Sequence, residues 1–187
     1  MTNFTIHEDD KKIIIALSPS KTYRENTLLM LKEIQKESSL RTIIICVNQP
    51  ASFLISLYRK NGIDISRIYF IDAITQYATG TAPKNIENCK FVSKPGDLTS
   101  MGIAVTTTLQ KFKGDKSLIF LDSVNAMLIH SNSLVLTKFI HFIISKLRIM
   151  NIAGILLAIE NGIDPVLMTQ LTSFADDMIE FPEENVG

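Results

Sequence analysis

The chain has 187 residues, 46 % of them hydrophobic and 20 % charged, with 19 basic residues against 19 acidic ones. That length suits one α/β domain able to bury about 70 % of its unfolded surface without disulfides or metals, and the balanced charge argues against the one-sided lysine and arginine surplus that nucleic-acid binding needs. No apolar run approaches the roughly 20 residues of a membrane span.

The opening MTNFTIHEDDKK is polar and acidic, where a signal peptide would be basic and then apolar. Of the two cysteines, Cys46 lies in an apolar run and Cys89 near a loop, which predicts a buried thiol and a bystander rather than a disulfide or metal site. The expectation is a cytoplasmic protein in a reducing compartment.

Residues 13–17, IIIAL, are a β-branched run between charge and SPS, and predict a buried first strand. A helix follows. Thr22 and, three residues on, Glu25 have the spacing of a capping box, and Leu28, Leu31 and Ile34 carry its inner face. Residues 42–47, TIIICV, predict a second buried strand; Asn48 and Pro50 open a helix with Phe53, Leu54 and Leu57 inward, closed by Asn61-Gly62. The third strand, 67–73, carries Asp72 near its tip. Residues 75–90 show no period and are rich in Thr, Gly, Pro and Asn, which predicts a loop over the C-terminal edge of the sheet.

A short strand at 90–92 and a helix from Pro95-Gly96-Asp97 to about Phe112 lead through Gly114-Asp115 to KSLIFLDSVNAM, 116–127. Ser131, Asn132 and Ser133 offer caps for the longest helix, which runs to about Met150 with Phe139, Ile140, Ile143, Ile144 and Leu147 in the 3.6 period. A strand at 153–159, a helix from Asp164-Pro165 to about Ala175 and an edge strand at 177–181 complete the order, before an acidic tail expected to fray. Strands alternating with helices predict a three-layer α/β/α sandwich around a mainly parallel sheet built by right-handed crossovers. One domain is expected over 1–187, with its core at about 12–181 and tails at 1–11 and 182–187.

The central stretch carries the chemistry. Leu118, Ile119, Phe120 and Leu121 run straight into Asp122 and Ser123, a strand buried on both faces that ends in a carboxylate. Ligands of open parallel sheets bind beyond the carboxyl ends of the strands, so an acidic tip there is placed to hold a nucleotide-bound metal, as a Walker B strand does. The partner such a strand needs is a glycine-rich loop after the first strand, whose bare amides wrap phosphates. Residues 17–27 instead read LSPSKTYRENT, without a glycine. Pro19 removes one amide donor, the side chains hinder close approach, and Glu25 in the first turn would satisfy free amides and repel a phosphate. Lys21-Thr22 matches the Lys-Thr pair of such loops, with a chance dipeptide an equal alternative.

Together TIIICVNQP, YFIDAIT, LIFLDSVNAM, ILLAIEN and the closing LTSFADDMIEF resemble the RecA-like ATPases, in particular their archaeal and bacterial KaiC-type branch, over nearly the whole chain. The resemblance implies a RecA-like P-loop NTPase fold and an ancestral nucleotide site at Ser18, Ser20, Lys21, Thr22, Asp122 and Ser123, with Asp122 as its magnesium-facing residue. Glu160 would end the strand that senses nucleotide state. In that family the second strand commonly ends in an acidic residue that activates water, and here Asn48-Gln49 stand in its place. For Asp122 the alternative is a cap on the turn that follows the strand; Asp72 and Thr75 are further candidates for the same crevice, although Asp is common at strand ends, and His130 and His141 are too far apart and too differently placed to predict a metal pair.

What the resemblance and its departures imply is a catalytically inactive domain, a pseudo-ATPase without a resident cofactor, working through a protein partner: a homo-oligomer or an active RecA-like relative. The alternative is a nucleotide-binding protein that takes ATP and magnesium in an atypical loop, with slow hydrolysis or none. No membrane or nucleic-acid partner is expected.

Overall fold

Strands buried on both faces are written as unbroken apolar runs, because neither side of the sheet meets water. A computed structural model describes residues 4–183, and its strands follow those runs. β1 (Ile13–Ser18), β2 (Arg41–Cys46), β3 (Ile68–Asp72), β4 (Cys89–Phe91), β5 (Ser117–Asp122), β6 (Ala153–Ile159) and β7 (Asp177–Glu180) form one sheet in the order β4-β3-β2-β5-β6-β1-β7. All its pairings are parallel.

Two helices, α1 (Tyr23–Ile34) and α2 (Ala51–Lys60), cover one face, burying Met30, Leu31, Ile34, Leu54 and Tyr58 against Ile44, Phe70 and Phe120. The other face packs under α4 (Leu98–Lys111), α5 (Val124–Leu128), α6 (Ser133–Met150) and α7 (Pro165–Phe174). The chain thus steps one way across the sheet with helices on one face and returns with helices on the other, as right-handed crossovers require. Cys46 pairs with both Asp72 and Asp122, so the tips of β3, β2 and β5 lie in one row.

Several expectations are corrected. The stretch 75–90 is not all loop: α3 (Thr75–Thr79) opens it, because Asp72 accepts hydrogen bonds from the Ile74 and Thr75 amides at 2.8 Å each. Gly80, at φ +79°, ends that helix. The capping box does not form. Thr22 has φ −105° and ψ 10° rather than extended geometry, and its hydroxyl takes the Asn26 amide at 3.1 Å instead. Phe53 faces outward, 41 % exposed, while Ala51, Leu54 and Tyr58 turn inward, since the Ala51 amide is held by Asp72 at 2.8 Å and sets the rotation of α2.

The segment expected as an N-terminal tail contributes Phe4 and Ile6 to the core. Their i, i+2 pairing is masked by the polar residues around them in the opening stretch. Of the acidic tail, residues 184–187 lie outside the described residues. Among the described residues no helix is long and apolar enough to cross a membrane.

Candidate functional site

Asp122 shares the parity of Phe120 along β5, so its carboxyl points to the face covered by α1 and α2. It is 3 % exposed. The group that meets it is the phenol of Tyr23, the first residue of α1, which donates a hydrogen bond to Asp122 Oδ1. Burial pushes the Asp122 carboxyl above the usual carboxylate range, against the opposing effect of hydrogen bonds from Tyr23 and Asn48. Burial and the Asp122 charge in turn push the Tyr23 phenol well up, so it stays a donor at any ordinary pH.

Only four residues, 19–22, join β1 to α1. They are knitted into the helix start: the Ser18 hydroxyl donates to Pro19 O at 3.1 Å, and the Asn26 amide donates to Ser18 Oγ at 2.9 Å. Ser18 is fully buried, whereas Ser20 and Lys21 are exposed. Ser123 is buried as the N-cap of α5, its Oγ accepting from the Ala126 amide at 3.3 Å. The six expected residues are therefore split. Ser18 and Thr22 meet through Asn26, Asp122 meets Tyr23, Ser123 serves α5, and Ser20 and Lys21 face outward.

Between α1 and α2, beside Asp122, is a cleft of about 80 Å³ that Tyr23, Asn48, Leu54 and Tyr58 help to line. That is the liquid volume of two or three water molecules. Within it the Tyr58 hydroxyl is buried without a hydrogen-bond partner, and Arg24 stands 6.0 Å from the Phe53 ring at the rim.

The remaining candidates hold the fold. Asp72 accepts from Ala51, Ile74 and Thr75 amides and from the Thr75 hydroxyl at 2.6 Å, which starts α2 and α3 together. Glu160 donates its amide to Ser18 O at 2.9 Å, tying β6 to β1, with its side chain exposed. Asn125 accepts from the Ile159 amide at 2.7 Å, and a Cβ at Gly162 would strike its carboxamide, so Asn161-Gly162 turns tightly there. Asp176, from the closing LTSFAD, accepts the Ile13 amide at 2.8 Å and both Arg148 guanidinium nitrogens, anchoring the start of β1. His130 stacks edge-on with Tyr77, and His141 is tilted against Phe174.

Tyr23 and Tyr58 are the residues that sequence reasoning missed. The signal for them was a demand rather than a motif: a carboxylate at a buried strand tip needs a donor, and the chain has only four tyrosines.

The all-parallel sheet, this strand order and an acidic tip on its central strand define a RecA/KaiC-like fold. Its backbone is similar to that of a KaiC-like protein from the hyperthermophilic archaeon Pyrococcus horikoshii OT3, with a TM-score of 0.65 over 95 % of this chain and 75 % of that one, at 11 % sequence identity. No protein-family model matches the chain, and no curated protein matches it. At that identity the likeness carries the fold alone.

Proposed function

We propose that this RecA/KaiC-like domain is catalytically inactive, a pseudo-ATPase that works as a regulatory or structural protein-interaction module. The observation that carries the reading is the Tyr23 phenol on Asp122: the group that would face a nucleotide-bound magnesium is bonded instead to the first residue of α1. The four-residue loop without glycine supports it, because amides flanked by side chains and one proline make a poor phosphate cradle. So does the cleft of about 80 Å³, well below the roughly 300 Å³ at which small-molecule pockets begin. These residues do not fit a magnesium nucleotide, and no hydrolytic step is assigned to them. Asn48 and Gln49, neither of them a base, stand where a water-activating carboxylate would be needed.

A thermal-shift titration with ATP, ADP and GTP, with and without magnesium, tests this. The expected result is no change in midpoint at millimolar nucleotide. A site occupied at 100 times its dissociation constant would add about 2.7 kcal/mol, so a magnesium-dependent rise that Asp122→Ala abolishes would replace this reading with an atypical nucleotide site.

A further inference from the structure

The two helical layers differ in what they show to solvent. The described residues expose eleven large hydrophobic side chains, and five of them stand on α4 and α6: Ile103, Leu134, Val135, Phe142 and Ile149. Neither helix contains an Asp or Glu, while together they carry Lys111, Lys138, Lys146 and Arg148. Arg148 is paired with Asp176. A groove of about 510 Å³ runs between the two helices. Its floor includes Gly102, where a Cβ would come within 3.2 Å of the Phe142 ring.

The walls of this groove have helical spacing. Thr99, Ile103 and Thr106 line one side at i, i+4, i+7. On α6 the wall is Val135, Lys138, Phe139 and Phe142; Ile149, 83 % exposed, continues the seven-residue spacing of Val135 and Phe142 beyond the groove. Seven residues are about two helical turns, so these side chains stand on one side of α6. Lys138 lies in the same stripe, and the Lys146 ammonium stands 5.6 Å from the Phe142 ring centre, so positive charge flanks the apolar row. A membrane-surface helix presents a continuous apolar face, whereas Thr99, Thr106 and Thr107 interrupt the apolar lining of this groove.

We infer that the groove between α4 and α6 receives an amphipathic helix of a partner protein, its apolar ridge flanked by Asp and Glu. Charge decides that the helix comes from another chain. α1 balances Arg24 and Lys32 against Glu25 and Glu33, α2 carries Arg59 and Lys60, and α3, α5 and α7 carry no charged residue, so none of the described helices is net acidic. The inference rests on the protein-interaction reading above and gives that reading a partner chemistry.

The test is fluorescence anisotropy with a labelled peptide of about 18 residues, long enough to form a helix, bearing leucines at i, i+3, i+4, i+7 and flanking glutamates, beside a counterpart with flanking lysines. The acidic peptide is expected to bind saturably and at least about tenfold more tightly than the basic one, with the difference shrinking as salt screens the lysines. Ile103→Glu, at a position 58 % exposed and so harmless to the fold, should weaken it by a similar factor. Lys138→Glu should shift preference toward the basic peptide. Equal affinity for the two peptides, or binding indifferent to Ile103→Glu, overturns the inference. So does binding to phosphatidylserine vesicles in place of the peptide, or self-association in sedimentation velocity that Ile103→Glu abolishes. Nucleotide thermal shifts on the same samples separate the two levels: peptide failure without a nucleotide response rejects the partner alone, and a magnesium-dependent response rejects the underlying reading.

Discussion

Asp72 and Asp122 close β3 and β5 in one row of the sheet, one on each side of Cys46, and both are almost wholly buried. Asp72 accepts from three backbone amides and one hydroxyl, so its charge is met by donors from two helix starts. Asp122 meets a phenol and a carboxamide, and among the described residues no backbone amide or cation joins them. The same side chain at equivalent positions thus does opposite work. One is a structural anchor held by four hydrogen-bond donors; the other is a carboxyl that burial disfavours as an anion and that Tyr23 covers.

The comparison is sharpest under one substitution applied to both. Asp72→Asn places an amide nitrogen either against the Ala51 amide or against the Ile74 and Thr75 amides, and should lower stability by about 3 kcal/mol in urea unfolding at pH 7, since bonds to a charged acceptor are lost and buried donors are left unmatched. Equal losses for Asp72→Asn and Asp122→Asn would break the distinction.

Tyr23→Phe comes next. It removes the donor to a buried carboxyl and should cost about 1–3 kcal/mol at pH 7. A double-mutant cycle with Asp122→Ala should return a coupling of at least about 0.5 kcal/mol; additivity would mean that the phenol and the carboxyl do not depend on each other.

The smallest effect is also the most diagnostic in sign. Burial raises the folded pKa of Asp122 above its unfolded value, so between the two values the native state keeps a proton that the unfolded chain releases. The stabilising contribution is complete below about pH 3.9 and is lost as pH rises through the folded value. Asp122→Asn, which still accepts from Tyr23 but carries no charge, should therefore raise Tm at pH 7. That gain should fade as the pH is lowered toward 4. A loss of Tm at pH 7 would show that the anion is stabilised by a group beyond Tyr23 and Asn48.

Much of the fold was legible in the chain. The runs ending in Ser18, Cys46, Asp72, Asp122 and Ile159 are the strands the sheet uses, and Asn132, Asp164 and Asp97 cap the helices that follow them. Where a local pattern misleads, a competing hydrogen bond overrides it, near in sequence in one case and distant in the other. The Thr22-Glu25 spacing fits a capping box, but Asn26 takes the hydroxyl; Phe53 is more apolar than Tyr58, but the bond from Ala51 to Asp72 turns Tyr58 inward. The candidate site was half legible. Asp122 stands out as an acidic tip and the lack of glycines after β1 is plain, yet nothing around Tyr23 in sequence marks it as more than part of a helix start.

Patterning along the chain determined where strands and helices lie, because burial on two faces, capping and left-handed turns at Gly62 and Gly114 act within a few residues. Tertiary structure alone decided what Asp122 touches. Tyr23 lies 99 residues away in sequence, on a helix that follows a strand separated from β5 by β6, and only the strand order brings that phenol over the carboxyl. It also decided which apolar side chains stay outside. The seven-residue spacing on α6 could belong to a core stripe, and only the rotation of α6 that buries Leu136, Phe139, Ile140, Ile143, Ile144 and Leu147 turns Val135, Phe142 and Ile149 toward solvent.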